Sequence, residues 1–328
     1  MKRREFISLI GGAAVAASGP ARAQADRVRH IGVLMGYAQS DADTQARMAA
    51  FREAFEQLGW KDGRNVAITY RFGVAELDRV RDYAKELVDS NPDLIVCETT
   101  PALKAVADHT GTIPIVFVSV TDPVSNGFVT DLAHPGGNIT GFTNFETTMG
   151  GKWIELLKKI APSSRRVGVI FNPDTAPYAG SFNSAIQAAA AILGMSITRA
   201  PVRDDAGTEK AITAAAREPG GGLIILPDIF TSSHRDTIVA AAARYALPVI
   251  GIDAVPRRGG LMSHWYDSVE MSAQAASYIN RILKGASPAD LPVQQPTKFL
   301  LIINLKTARA LGLTVPQTIL ERADEVIE

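Results

Sequence analysis

The chain carries a single cysteine, Cys97, among 328 residues. No internal disulfide can form, even in an oxidising compartment. Cys97 lies inside an apolar run and reads as a small core residue, not a reactive thiol. Histidine is also scarce. His30, His109, His134, His234 and His264 are scattered and give no metal-spaced pair, so no metal site is expected. A G-x-S-x-G elbow, a phosphate-binding P-loop and a dinucleotide fingerprint are missing. The glycine run 220–222 precedes an apolar stretch instead of joining a strand to a helix, and reads as a loop. These absences point away from an enzyme: no catalytic residue and no cofactor are expected. An excess of one charge is lacking too, because 34 Lys and Arg balance 34 Asp and Glu. A nucleic-acid partner would require a basic face, and none is expected. Beyond the N-terminus, no run is long and apolar enough to cross a bilayer.

The N-terminus is present as an address. Lys2, Arg3 and Arg4 form a basic head, an apolar run extends from Phe6 to Ala17, and Ala21-Arg22-Ala23 is an A-x-A cleavage signal. That order predicts a cleaved signal peptide over residues 1–25, and Arg3-Arg4-Glu5-Phe6-Ile7 resembles a twin-arginine signal. The expected destination is the periplasm. Removing residues 1–23 leaves 30 basic groups against 33 acidic ones. The remaining length exceeds what one hydrophobic core usually supports, which predicts two domains.

Short apolar runs alternate with helical patterns. Strands are expected at Arg29–Met35, Val66–Tyr70, Leu94–Cys97 and Ile115–Val118, separated by helices at Thr44–Leu58, Leu77–Asp89 and Pro101–His109. Apolar strands spaced by amphipathic helices predict parallel strands covered on both faces. The pattern then recurs. Arg29-His30-Ile31-Gly32-Val33-Leu34 resembles 165–170, Asp93-Leu94-Ile95-Val96 resembles 222–225, and Ile113-Pro114-Ile115-Val116 resembles 247–250, at offsets of 136, 129 and 134. A near-constant shift across three strands predicts an α/β protein of two similar doubly wound parallel-sheet lobes. A strand at Leu261–Ser263 and a helix at Val269–Lys284 come after the second repeat and are expected to have no counterpart at the end of the first. The expected division is 28–143 plus about 258–286 for lobe one, and 144–257 plus about 290–328 for lobe two, joined by a multi-crossover hinge.

In open parallel sheets, ligands lie beyond the carboxyl ends of the strands. Two such sheets face each other across one cleft. That rule selects Gly36, Tyr37, Thr99, Thr100, Ser119, Thr121 and Asp122 from lobe one, and Asn172, Asp174, Pro227, Asp228 and Asp253 from lobe two. Pro101 favours a helix start, making Thr100 the expected N-cap, with free N–H groups suited to a carboxylate. The same threonine could cap only its own helix. The aspartates could face a ligand cation or merely cap the next turn. Together they suit a zwitterionic or carboxylate ligand, an amino acid being the simplest. Aromatic groups at Tyr37, Tyr178, Phe230, Trp265 and Tyr266 could wall the pocket, whereas Trp153 reads as core.

Thr121-Asp122-Pro123-Val124, Pro-Gly-Gly-Asn-Ile-Thr-Gly at 135–141 and Lys-Phe-Leu-Leu-Ile-Ile-Asn-Leu-Lys-Thr-Ala-Arg-Ala-Leu-Gly-Leu at 298–313 carry a resemblance that covers nearly the whole chain. They resemble the ABC importer substrate-binding proteins of the type I periplasmic-binding fold, in the TrpX-like, tryptophan-binding group. The resemblance implies capture of a solute between closing lobes and delivery to an ABC permease driven by its ATPase. Contact with the membrane would then come only through the permease. It also implies that Thr99 and Thr100 hold a carboxylate, with polar contacts from Thr121, Asp122, Asn172 and Asp228. Two other readings remain at this point. One is a sensor that presents its ligand to a membrane kinase. The other is an exported hydrolase using Asp122 or Asp228 as general base.

Overall fold

The computed structural model describes residues 27–328, apart from residues 145, 147 and 253. The expected export signal over 1–25 and the candidate Asp253 lie outside the described residues. Among the described residues, no helix is long and apolar enough to cross a membrane.

The first sheet holds β1 (Arg29–Met35), β2 (Val66–Phe72), β3 (Leu94–Glu98), β4 (Ile115–Val120) and β5 (Ile139–Thr143). Their order is β2-β1-β3-β4-β5, and all pairs are parallel. Side chains alternate between two apolar layers, as the pleat requires. Ile31, Val33, Val96 and Val118 pack with Met48, Phe51 and Phe55 of α1 (Ala42–Gln57). Leu34, Ile95, Cys97 and Phe117 face the other way, onto Leu87 of α2 (Leu77–Asp89) and Leu103 of α3 (Thr100–Ala107). Both faces are covered, so these strands read as unbroken apolar runs. Cys97 is buried, and burial raises its thiol pKa well above the ordinary range.

The second sheet holds β6 (Arg166–Phe171), β7 (Ser196–Pro201), β8 (Gly221–Ile225), β9 (Val249–Gly251), β10 (Met262–Tyr266), β11 (Phe299–Asn304) and β12 (Glu325–Ile327). Its order is β12-β11-β10-β9-β8-β6-β7, with only β11 antiparallel to its neighbour β10. The run β7-β6-β8-β9-β10 repeats the order β2-β1-β3-β4-β5. The internal repeat is therefore real at the level of topology.

The expected division between lobes needs one correction. It assigns the strand near 261–263 to lobe one, without a counterpart in the first repeat. The strand, Met262–Tyr266, pairs instead with β9 and β11, in the second sheet. By position it is the partner of β5. The helices after these fifth strands are exchanged between lobes. After β5, α4 (Met149–Ile160) packs on α5 (Ala179–Ile192) of the second lobe. After β10, α9 (Ser268–Leu283) returns to pack on α1 and β4 of the first. Trp153 of α4 is fully buried, stacked on Phe182, and donates to the His264 carbonyl at 2.9 Å. The chain then crosses a third time, from Gln294, which bonds the backbone of Gly141 and Thr143, to β11. Gly141 is required at this junction. Its φ is +155°, and a Cβ there would lie 2.1 Å from the Phe117 carbonyl.

The remaining helices of the second lobe are α6 (Asp205–Ala215), α7 (Ile229–Ser233), α8 (Arg235–Arg244), α10 (Leu305–Ala310) and α11 (Gln317–Leu320). Aspartate starts several helices. Asp41, Asp204, Asp228 and Asp267 accept from the backbone N–H three residues on, in α1, α6, α7 and α9. Each such cap is worth about 1 kcal/mol.

Candidate functional site

A cavity lies where the carboxyl ends of the two sheets meet. It encloses about 530 Å³ of atom-free space, counting its open mouth. Tyr37 comes after β1, Glu98 ends β3 and Ser119 lies in β4; Pro227 comes after β8, Ile252 after β9, and Trp265 and Tyr266 end β10. The strand-end rule thus locates the cavity correctly. It does so because parallel strands place every βα loop of a sheet at one edge.

The lobes touch around this cavity. Tyr266 donates to Ser119 Oγ at 2.8 Å, and Ser181 donates to Asp122 at 3.2 Å. Arg235, the first residue of α8, reaches across to Asp41 and also to Asp43, the latter at 3.3 Å. Burial acts against ionisation of Asp41, but Arg235 and the Thr44 N–H hold its pKa below the usual carboxylate value. Gly36 abuts the opposite lobe. A Cβ there would sit 2.7 Å from Ile229 Cδ1 and 2.7 Å from Thr99 Oγ1.

The floor of lobe one is charged. Arg47 and Glu98 form a buried ion pair, Nε to Oε1 at 2.5 Å. Burial raises the Glu98 pKa, with Arg47 opposing the shift. The Arg47 guanidinium also lies over the Tyr37 ring, 5.1 Å from its centroid. Enclosure pushes the Tyr37 phenol up to about 12, again with Arg47 pulling the other way. Beneath the ion pair, an apolar recess runs between the sheet and α1, lined by Met35, Met48, Phe51, Val96 and Val118.

The sequence candidates divide into two groups. Tyr37 lines the cavity, as do the aromatic groups Trp265 and Tyr266. Thr99 is buried beside it, with φ at +91° and a hydroxyl that makes no hydrogen bond. Ser119 and Asp122 are also held at positive φ, +59° and +48°. Such strain in non-glycine residues persists only where surrounding structure enforces it, and it gathers at functional sites.

The other candidates bond mainly within their own lobe, although the side chains of Tyr178 and Thr121 also meet across the cleft. Thr100 is not the N-cap; α3 begins at Thr100, and the cap position falls on Thr99, whose side chain makes no cap bond. The Thr100 hydroxyl accepts from the Thr121 N–H at 3.1 Å, and the Thr121 hydroxyl donates to Asn144 at 2.8 Å. Asp228 is buried, and both its oxygens are engaged: one accepts from Thr231 N and Thr175 Oγ1, the other from Asn172 N. Burial nevertheless raises its pKa to about 6. Asn172 turns its side chain onto the Asp174 N–H, and Tyr178 donates to the Pro227 carbonyl at 2.6 Å. Phe230 stacks on His234 within its own lobe.

Sequence reasoning missed Arg47, Glu98, Asp41, Asp43 and Arg235. Arg47 looks like one more polar position of an amphipathic helix. Glu98 was available, as the last residue of an apolar strand and a carboxylate at a strand end. Among the described residues, no cluster of His, Cys, Asp and Glu could hold a metal ion.

The comparisons with known proteins agree with this geometry. The family model described as ABC transporter substrate binding protein matches residues 37–327. A tyrosine-binding protein of Clostridioides difficile (strain R20291) is 27% identical over 268 residues, covering 80% of this chain and 75% of that protein. A Streptococcus pneumoniae ABC domain solved in complex with L-Trp is 25% identical and covers 92% of this chain and 100% of its own, with a TM-score of 0.85. A conserved domain protein of Vibrio cholerae O1 biovar El Tor is 29% identical with the same coverages and TM-score. The chain therefore belongs to the ABC transporter substrate-binding proteins, a family of solute-binding proteins, and has their type I periplasmic-binding architecture of two parallel-sheet lobes.

Proposed function

We propose that this protein is an exported receptor that captures an aromatic amino acid between its lobes and delivers it to an ABC importer. The observation that carries the reading is the make-up of the cavity. Tyr37, Trp265 and Tyr266 supply ring faces, while Arg47, Glu98 and Arg235 supply charges of both signs. A planar side chain gains from offset or edge contacts with such rings. A zwitterionic head gains from paired charges in an enclosed site. The tyrosine-binding relative and the L-Trp complex support the same ligand class. The Lys2-Arg3-Arg4 head, the apolar run and the Ala21-Arg22-Ala23 signal support export.

The contacts across the cleft support closure as the binding event. A ligand that touches both lobes binds the closed form better and shifts the population toward it. The three chain crossings provide the hinge.

Thermal denaturation of the mature chain with each of the common amino acids tests the ligand class. Tryptophan, tyrosine or phenylalanine is expected to raise Tm by several degrees, because ligand at 100 times Kd adds about 2.7 kcal/mol to the native state. An unchanged Tm with all three would overturn the reading. Uptake of the bound amino acid by cells lacking this gene tests delivery, and undiminished uptake at low substrate would refute it.

A further inference from the structure

Buried polar groups in folded proteins nearly always find hydrogen-bond partners, and exceptions need a reason. Several exceptions here gather at one place. Glu98 is 4% exposed, and neither of its carboxylate oxygens receives a hydrogen bond of sound geometry; its contact is the ion pair with Arg47. Ser232 is 4% exposed and Arg235 9% exposed, and Ser232 Oγ and Arg235 Nε lack acceptors. Glu98, Ser232 and Arg235 all line the interlobe cavity. Thr99, next to Glu98, adds a buried hydroxyl without a partner.

These vacant valences have a pattern. On the lobe-one wall a carboxylate has Arg47 as its single donor. On the lobe-two wall a hydroxyl and a guanidinium N–H lack acceptors. Among the described charged groups lining the cavity, the carboxylates of Asp41, Asp43 and Glu98 outnumber the guanidiniums of Arg47 and Arg235. Arg235 is held by Asp41 and Asp43, so the carboxylate left with a single cation is Glu98. An α-ammonium brings three N–H donors on one compact cation, which a buried carboxylate with a single donor can use at once.

We propose that Glu98 receives the α-ammonium of the ligand, so that the site selects free amino acids over their deaminated or N-acylated analogues. The assignment rests on the amino-acid reading of the cleft and adds the group that enforces it. Arg47 pairs with Glu98 beside the apolar recess and opposes the effect of its burial. The donor atoms left without an acceptor, Ser232 Oγ and Arg235 Nε, face the ligand's carboxylate, while the other guanidinium nitrogens stay on Asp41, Asp43 and the Ser232 carbonyl.

Isothermal titration of the mature chain, unfolded and refolded to remove carried ligand, tests this with no mutation at all. The panel is L-tryptophan, L-tyrosine, indole-3-propionate and N-acetyl-L-tryptophan. Loss of the charged ammonium is expected to weaken binding about 100-fold, since the buried Glu98 is left with Arg47 as its single cation and the contact it makes to the ligand is lost. In Glu98→Gln the affinity for the amino acid is expected to fall about 100-fold, while that for indole-3-propionate changes less than about threefold. Glu98→Asp, which retains the charge, is expected to recover part of the loss. Equal binding of N-acetyl-L-tryptophan and L-tryptophan by the natural protein would overturn the proposal while leaving the aromatic-ligand reading intact. So would a Glu98→Gln protein whose amino-acid affinity is unchanged. Binding of the indole acid with no binding of either amino acid would overturn both.

Discussion

The two walls of the cleft are built from the same strand-and-helix unit, yet they are finished differently. At the edge of lobe two, Asp228, Asn172, Thr175 and Thr231 satisfy one another, and Tyr178 closes onto the Pro227 carbonyl. At the edge of lobe one, Thr99, Ser119 and Asp122 are held at positive φ, and Glu98 is buried with too few donors. Lobe two's strand ends are thus organised for stability, its unmet groups, Ser232 Oγ and Arg235 Nε, coming later in α7 and α8. The strand ends of lobe one themselves keep strain and unmet hydrogen-bonding capacity. Two copies of one topology can divide these tasks because each needs only a single strand edge.

The largest expected effect breaks the stable side. Asp228→Ala removes the α7 cap and strands the Asn172 N–H and the Thr175 hydroxyl in a buried site. It should lower the unfolding free energy by about 3–4 kcal/mol, read from the urea midpoint. The same carboxylate gives a pH signature. Its folded pKa of about 6 lies above the ordinary 3.8, so the native state binds this proton more tightly than the unfolded chain. The contribution is complete below about pH 4 and is lost as pH rises through about 6, a change of ~3 kcal/mol. Asp228→Asn should flatten that slope between about pH 4 and pH 7.

Smaller effects are expected where the walls meet and on the strained side. Gly36→Ala places a methyl group against Ile229 of the opposite lobe. It should prop the cleft open and weaken ligand binding about tenfold, and the clash with Thr99 of the same lobe should also lower the unfolding midpoint of the free protein. A radius of gyration by X-ray scattering that no longer shrinks on adding ligand would confirm the cause. Thr99→Gly relieves the +91° backbone. It should raise stability by about 1 kcal/mol while lowering affinity, whereas destabilisation would show that Thr99 is not strained.

Much of this architecture was legible in the sequence. β1 and α2 fall on the expected residues, because an apolar strand and a helix of period 3.6 leave distinct patterns. β7 is not visible there, because it is an edge strand with mostly exposed side chains, so apolarity does not mark it. The short α7 is hidden for want of length. The position of β10 could not be read either, since strand pattern does not record which sheet accepts the strand. Candidate residues fared by the same logic. Tyr37, Trp265 and Tyr266 were found because position relative to a strand end is a local property. Asp228 proved to be a cap because an aspartate after a strand looks the same whether it faces a ligand or its own helix.

By itself, the sequence determined two repeated α/β units, their parallel strands and the strand edge at which the interlobe cavity lies, because apolar periodicity and repetition are carried by neighbouring residues. The tertiary structure alone decided the exchange of α4 and α9 between lobes, the ion pair of Arg47 with Glu98, and the bridge from Arg235 to Asp41. Arg235 and Asp41 are 194 residues apart. Charge complementarity over such a separation leaves no local pattern, and exists only once folding has closed the distance.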